Sequence, residues 1–299
     1  MTHTRAVLLM VVVALMWSIA GVVSRHLEAA RSFEVTFWRS LFTAAALLAA
    51  LLALRGVALW RSIVGAGWPL WFSSLCWAVM YTNFMLAITL TKVATVLITL
   101  AIAPLVTALF ARLFLRHRQA PRTWAAMGVA GAGIAWMFAR DALEGGPGSL
   151  LGIAVALGVP LAAAANWTLL QYIHLHPRAE ADEPEMLPAV FLGALISAAV
   201  TLPMALPFAA SAHDLGLLGL LGVVQLAIPC LLVVQLARIL PAPEISLLAL
   251  LEVVFGVAWA WMGAGEVPGT HTWAGGALVL TALLINEGLA LRERTLAAA

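Results

Sequence analysis

The chain has 299 residues, 64% of them hydrophobic and only 10% charged, with a mean hydropathy of +1.03. Soluble globular domains carry about 25% charged residues, so this composition excludes them and points to a membrane. The net charge of +2 forms no basic patch, which argues against nucleic acid as a partner.

Breaking the apolar runs at charges, Gly/Pro and turn chemistry predicts ten spanning helices. They lie near 6–24, 33–54, 66–90, 93–115, 122–139, 149–173, 186–207, 213–237, 243–264 and 271–291. A bilayer core about 30 Å thick needs roughly 20 apolar residues of helix, and each run is of that order. The first, behind Arg5, resembles a signal sequence in isolation but does not differ from its successors, and reads as a first span. The connections are short. The longest polar one, His174 to Glu185, holds the acidic cluster Glu180, Asp182, Glu183 and Glu185. Cys76 and Cys230 sit inside apolar runs as small hydrophobes, and no disulfide framework or metal site can be read from them.

With the N-terminus in the cytoplasm, eleven basic residues fall on the inner side, including Arg55, Arg61, Arg116 and Arg122. Four fall outside, namely Arg25, Arg31, Lys92 and Arg140. Because cytoplasmic loops collect Lys and Arg, both termini are expected inside and the number of spans is expected to be even. Arg39 lies within the second span, where its long stem is expected to snorkel outward.

Five spans precede the Asp141 to Ser149 linker and five follow it. A shift of 149 residues lays Ala103-Pro104 on Glu252-Val253 and Thr123-Trp124-Ala125 on Thr272-Trp273-Ala274, without a gap. An odd number of helices per copy forces the second to enter the membrane upside down. The expected fold is therefore all-α and integral to the membrane, with ten transmembrane helices as two inverted five-helix repeats over 1–141 and 149–294.

These residues resemble the EamA-type transporters of the drug/metabolite transporter superfamily. The resemblance covers nearly the whole chain. It rests on the fourth-span stretch Lys92 to Pro104, on Ser246-Leu-Leu-Ala-Leu-Leu-Glu252 in the ninth span, and on Gly265-Glu266 at its end. Val253 stands where the family often has proline, and His117 stands where the first repeat usually has glutamate. The resemblance implies a secondary transporter, and extends toward the family's bacterial amino-acid exporters.

A transport site is expected near the midplane between the repeats. Glu252 lies deep in an apolar run, where an ionised group costs from about 2.5 to more than 10 kcal/mol, so it is a candidate site residue. A protonated acid bonded to a neighbouring helix would fit the same position. Trp17 and Ser18 in the first span, Trp77, Tyr81 and Asn83 in the third, Asn166 and Trp167 in the sixth, and Gln225 in the eighth complete the set. Trp17 and Trp167 also match at an offset of 150 residues. Tryptophans with amide neighbours suit a zwitterion carrying an apolar or aromatic side chain. A tryptophan in a span more often faces lipid, and a buried amide needs a partner whether or not a ligand supplies it.

An intramembrane enzyme would need a nucleophile and base, or several ligands, at one depth. All seven histidines and all three aspartates fall in loops or at helix ends. No GxxxxGK[ST] phosphate loop is present, and neither a charged ring nor a carbonyl-lined loop suggests a channel. The expectation is a multi-pass transporter of a bacterial inner membrane, exporting small metabolites, amino acids foremost, by alternating access and without a cofactor. A multidrug or sugar-type permease is the alternative. The expected partners are the substrate and the lipid bilayer, with the chain as a monomer or homodimer.

Overall fold

The computed structural model describes residues 1–30, 32–91, 93–116, 119–143, 149–176, 185–264 and 269–298. Arg31, Lys92, His117, Arg118, Arg178, the acidic residues Glu180, Asp182 and Glu183, and the Gly265-Glu266 pair lie outside them. Every regular element among the described residues is a helix. In chain order these are α1 (His3–Trp17), α2 (Ile19–Ser24), α3 (Ser32–Arg55), α4 (Ala58–Val64), α5 (Trp68–Leu90), α6 (Val93–Leu100), α7 (Ala103–Phe114) and α8 (Pro121–Leu143). There follow α9 (Ser149–Leu175), α10 (Leu187–Ala205), α11 (Ala212–Leu220), a π-helical segment (Leu221–Ala227), α12 (Ile228–Leu236), α13 (Ala242–Ala249), α14 (Leu251–Ala264) and α15 (Thr270–Ala298).

Nine helical runs among the described residues are long and apolar enough to cross a bilayer. They are His3–Ser24, Phe33–Arg55, Trp68–Ile88, Val96–Phe114, Leu150–Leu175, Leu187–Ala205, Ala212–Leu236, Ala242–Gly263 and Thr270–Ala290. The remaining expected span, 122–139, is helical within α8, but its glycines, alanines and terminal charges make it less apolar than the others. The short helix α4 was not expected from the sequence. It follows a turn in which Gly56 takes a φ of +53°, a conformation that stops α3 at no steric cost only because glycine lacks a Cβ.

Local chemistry explains where the spans are interrupted. Ser18 turns its hydroxyl back onto the Leu15 carbonyl at 2.6 Å, and the first span breaks there into α1 and α2. The fourth breaks at Ala101-Ile102 and resumes with Pro104 in the first turn of α7, where a missing N–H costs nothing. The ninth breaks at Leu250, so these two breaks lie 149 and 148 residues apart from either residue of the pair. In the eighth the π segment runs into Pro229, in the first turn of α12. Pro160 and Pro203 lie within continuous helices, whereas Pro104 and Pro229 start new ones.

Between lipid-embedded helices there is little hydrophobic drive, so close packing and hydrogen bonds hold the bundle. Helix α10 packs along α3 and α5, and α5 along α9. Gly193 lets α10 lie against Ser74 and Trp77, and Gly222 lets the π segment lie against Arg39 and Phe42. A hydroxyl chain joins three spans, with Ser197 Oγ 3.0 Å from Ser40 Oγ and 2.9 Å from Thr82 Oγ1. Helices α8 and α15 pack mainly on each other, at one side of the bundle.

Three polar ties join distant parts of the chain. Asp214, in the first turn of α11, accepts the backbone N–H groups of Glu28, Ala29 and Ala30 at 2.8, 3.0 and 3.0 Å. Arg55 pairs with Glu185 at 2.7 Å, and His3 with Glu244 at 2.6 Å.

Candidate functional site

A cavity of about 160 Å³ opens among the interrupted spans. Each interruption delivers residues to its wall. Trp17 precedes the break of the first span, Leu100 and Ala103 flank that of the fourth, Gln225 belongs to the π segment, and Ala249 and Glu252 flank that of the ninth. Ala103 and Glu252, paired by the 149-residue shift, thus line one cavity, as do Trp17 and Trp167. No described residue of α8 or α15 reaches it.

One wall is aromatic. Trp77 stacks at a tilt on Tyr81, with ring centroids 5.6 Å apart, and meets Trp167 edge to face at 5.4 Å and 81°. Such edge-to-face pairs are favoured by the ring quadrupoles and fix the ring planes. Pro160 and Ala163 of α9 pack beside them, and Trp17 approaches from α1. The Cys230 thiol lies beside the Tyr81 hydroxyl and the Trp17 indole.

Two ionisable side chains complete the lining. Glu252 lies in the first turn of α14, where a helix N-terminus favours negative charge. Arg39 lines the same cavity; it is 1% exposed and donates through Nη2 to the Tyr81 carbonyl at 3.2 Å. The expected outward snorkel of Arg39 is therefore corrected. Arg39 shares one face of α3 with Thr36, Ser40 and Thr43, at spacings of three, four and seven residues, and all four are buried in the bundle.

Several buried polar atoms of the lining have no partner within the protein. They are Arg39 Nε, Trp77 Nε1, Tyr81 Oη and Gln225 Oε1. Gln225 spends its Nε2 on the Trp17 carbonyl at 3.2 Å, which leaves the oxygen free. Buried polar atoms in proteins are usually paired, so the convergence of these on one cavity marks it as a place for a polar ligand.

Six of the nine expected site residues, Trp17, Trp77, Tyr81, Trp167, Gln225 and Glu252, line this cavity. Three do not. Ser18 accepts the Trp259 indole N–H at 3.0 Å, Asn83 donates to the Val155 carbonyl at 3.1 Å, and Asn166 accepts from Ser73 Oγ at 2.6 Å. These bonds tie helices together behind the cavity wall. Arg39 and Ser246 line it although neither was among the site residues expected from the sequence.

The EamA-like transporter family model matches the chain twice, over residues 4–139 and 150–287. No curated protein sequence matches. A crystal structure of a protein 17% identical to this chain shares the fold with a TM-score of 0.78, over 97% of this chain and 99% of the other. The two family matches together span most of the 299 residues, and this multi-pass membrane protein belongs to the EamA-like transporter family.

Proposed function

We propose that the chain is a secondary transporter of amino acids, including aromatic and apolar ones, which it exports by alternating access through the cavity between its two repeats. The observation that carries this reading is the set of unpartnered polar atoms on Arg39, Trp77, Tyr81 and Gln225 around a cavity walled by tryptophans. Its size favours a small metabolite over an extended drug: about 150 Å³ of protein cavity holds one benzene ring. The interrupted spans supply what rocking repeats need, namely free backbone groups at a ligand and short half-helices that move as units.

The same proposal takes α8 as the tenth span, with the second repeat inverted and both termini in the cytoplasm of a bacterium. The three polar ties support the crossing of α8. Each joins a segment of the first half to one of the second, so both partners must lie on the same side of the membrane. With α8 crossing, they do. Were α8 to stay on one side, every later loop would change sides, and Asp214 would be separated from Glu28 by the bilayer.

The deciding experiment is counterflow in liposomes, with the purified chain, a panel of amino acids and empty liposomes as control. Accelerated exchange of phenylalanine, leucine or their neighbours is expected. No acceleration for any amino acid would overturn the substrate class.

A further inference from the structure

The polar face of α3 carries a charge that no contact neutralises. No carboxylate lies within 4 Å of the Arg39 guanidinium among the described residues. Its bond to the Tyr81 carbonyl is to a neutral acceptor, and Nε has no partner within the protein. A buried cation needs a counter-charge or a wet cavity, and Arg39 has the cavity. Glu252 is the carboxylate whose field reaches it from the ninth span, without touching it.

We propose that Arg39 is the carboxylate-recognition group of this site, and that Glu252 with the free oxygen of Gln225 receives the ligand's ammonium. The inference rests on the reading of the cavity as an amino-acid site, and assigns that site its polarity. A guanidinium presents a planar fork that matches a carboxylate, and the Tyr81 carbonyl holds one arm so that the fork is oriented before the ligand arrives. Trp77 and Trp167 then bound the side chain. A zwitterion matches Arg39 and Glu252 at once. An amine without a carboxylate leaves Arg39 unmatched and adds a second cation to the cavity, so the arrangement selects against cationic drugs.

The test is a ligand series that removes one group at a time: phenylalanine, phenylalanine amide, 3-phenylpropionate and phenethylamine. Binding to the full chain in detergent is read by tryptophan fluorescence and by the shift in melting temperature. Losing the carboxylate is expected to weaken binding roughly 10- to 100-fold, as for other charged hydrogen bonds. In Arg39→Gln the acid and its amide should bind alike. Arg39→Lys, which keeps the charge but not the fork, should fall between. Equal binding of acid and amide by the unaltered chain would overturn the inference, as would discrimination that survives in Arg39→Gln. Because the first comparison needs no variant and Arg39→Lys keeps the charge, the inference can still be overturned if Arg39→Gln fails to fold: equal binding of acid and amide by the unaltered chain, or full discrimination in Arg39→Lys, would do so. Binding of 3-phenylpropionate that depends on Arg39, without exchange of any amino acid, would uphold the carboxylate site and sink the amino-acid reading. Exchange of phenylalanine and its amide at equal rates and affinities would do the reverse, and binding of none of the four would sink both.

Discussion

The Asp214 carboxylate accepts the Glu28 N–H at 2.8 Å across 186 residues of sequence, and a second carboxylate reciprocates nearby. Glu34, in the first turn of α3, accepts the N–H groups of Ala209 and Ala210 at 3.0 and 2.8 Å. The loop that enters α3 is thus held by an acid of α11, and the loop that enters α11 by an acid of α3. Each acid satisfies amides that the turns leave without partners, and each sits at a helix N-terminus that favours its charge.

Removing one acid should therefore loosen the other helix's approach. In Asp214→Ala, hydrogen exchange at residues 28–30 is expected to accelerate, and the melting temperature in detergent to fall by several degrees. Glu34→Ala should accelerate exchange at 209–210 while leaving 28–30 nearly unchanged. If protection at 28–30 is the same with and without Asp214, the tie contributes nothing.

The close approach of α8 and α15 depends on two glycines. A Cβ on Gly275 would overlap the Gly133 carbonyl and Met137, and one on Gly133 would press on the Gly275 carbonyl, whereas a Cβ on Gly276 meets nothing within 4 Å. Overpacking of this kind costs about 1–3 kcal/mol. Gly275→Ala should lower the melting temperature and Gly276→Ala should not. Equal effects of the two neighbouring substitutions would mean that the helices separate without cost.

Much of this architecture was legible in the sequence, for physical reasons. Span lengths follow from bilayer thickness, and the 149-residue shift that paired Ala103 with Glu252 placed both on the cavity wall. Trp17 and Trp167, singled out as aromatic groups inside spans, also line it. Arg39 was misread because a lone arginine near a span end usually snorkels. The signal that identifies it is its company: Thr36, Ser40 and Thr43 make a polar stripe at helical spacing, and a stripe facing lipid would leave four polar groups unsatisfied. Ser18, Asn83 and Asn166 illustrate the opposite limit. Depth and residue type alone do not separate a group that bonds a neighbouring helix from one that faces a cavity, since both satisfy the same need. The half-helix break at Leu250 has no breaker residue of its own and emerges only from packing.

Trp167 meets Trp77 edge to face at the aromatic wall, so its loss should be felt by ring-bearing substrates first. An aromatic pair contributes about 0.5–1.5 kcal/mol beyond the area it buries. Trp167→Ala is expected to weaken phenylalanine and tryptophan exchange roughly three- to tenfold relative to alanine exchange. Trp167→Phe should restore most of the preference. A uniform loss for all amino acids, small and aromatic alike, would assign Trp167 to packing of α9 against α5 and remove it from side-chain recognition.

The topology has a sharp test at exposed positions. On the ten-span reading, His26 lies between the first and second spans on the outer side, while Ala58 and His176 both lie on the inner side. Single cysteines at these sites, added to a chain with Cys76 and Cys230 replaced by serine, can be probed in intact cells with a membrane-impermeant maleimide. His26→Cys should be labelled from outside, and Ala58→Cys and His176→Cys only after the membrane is opened. His176 is the position that discriminates, because it follows α8 in the chain. If α8 did not cross, His176→Cys would label from outside while Ala58→Cys stayed protected, and the Arg55–Glu185 pair, 2.7 Å apart, would have to span the bilayer. No ion pair of that length does so. Labelling of His176→Cys from outside would therefore overturn both the ten-span topology and the placement of these two side chains.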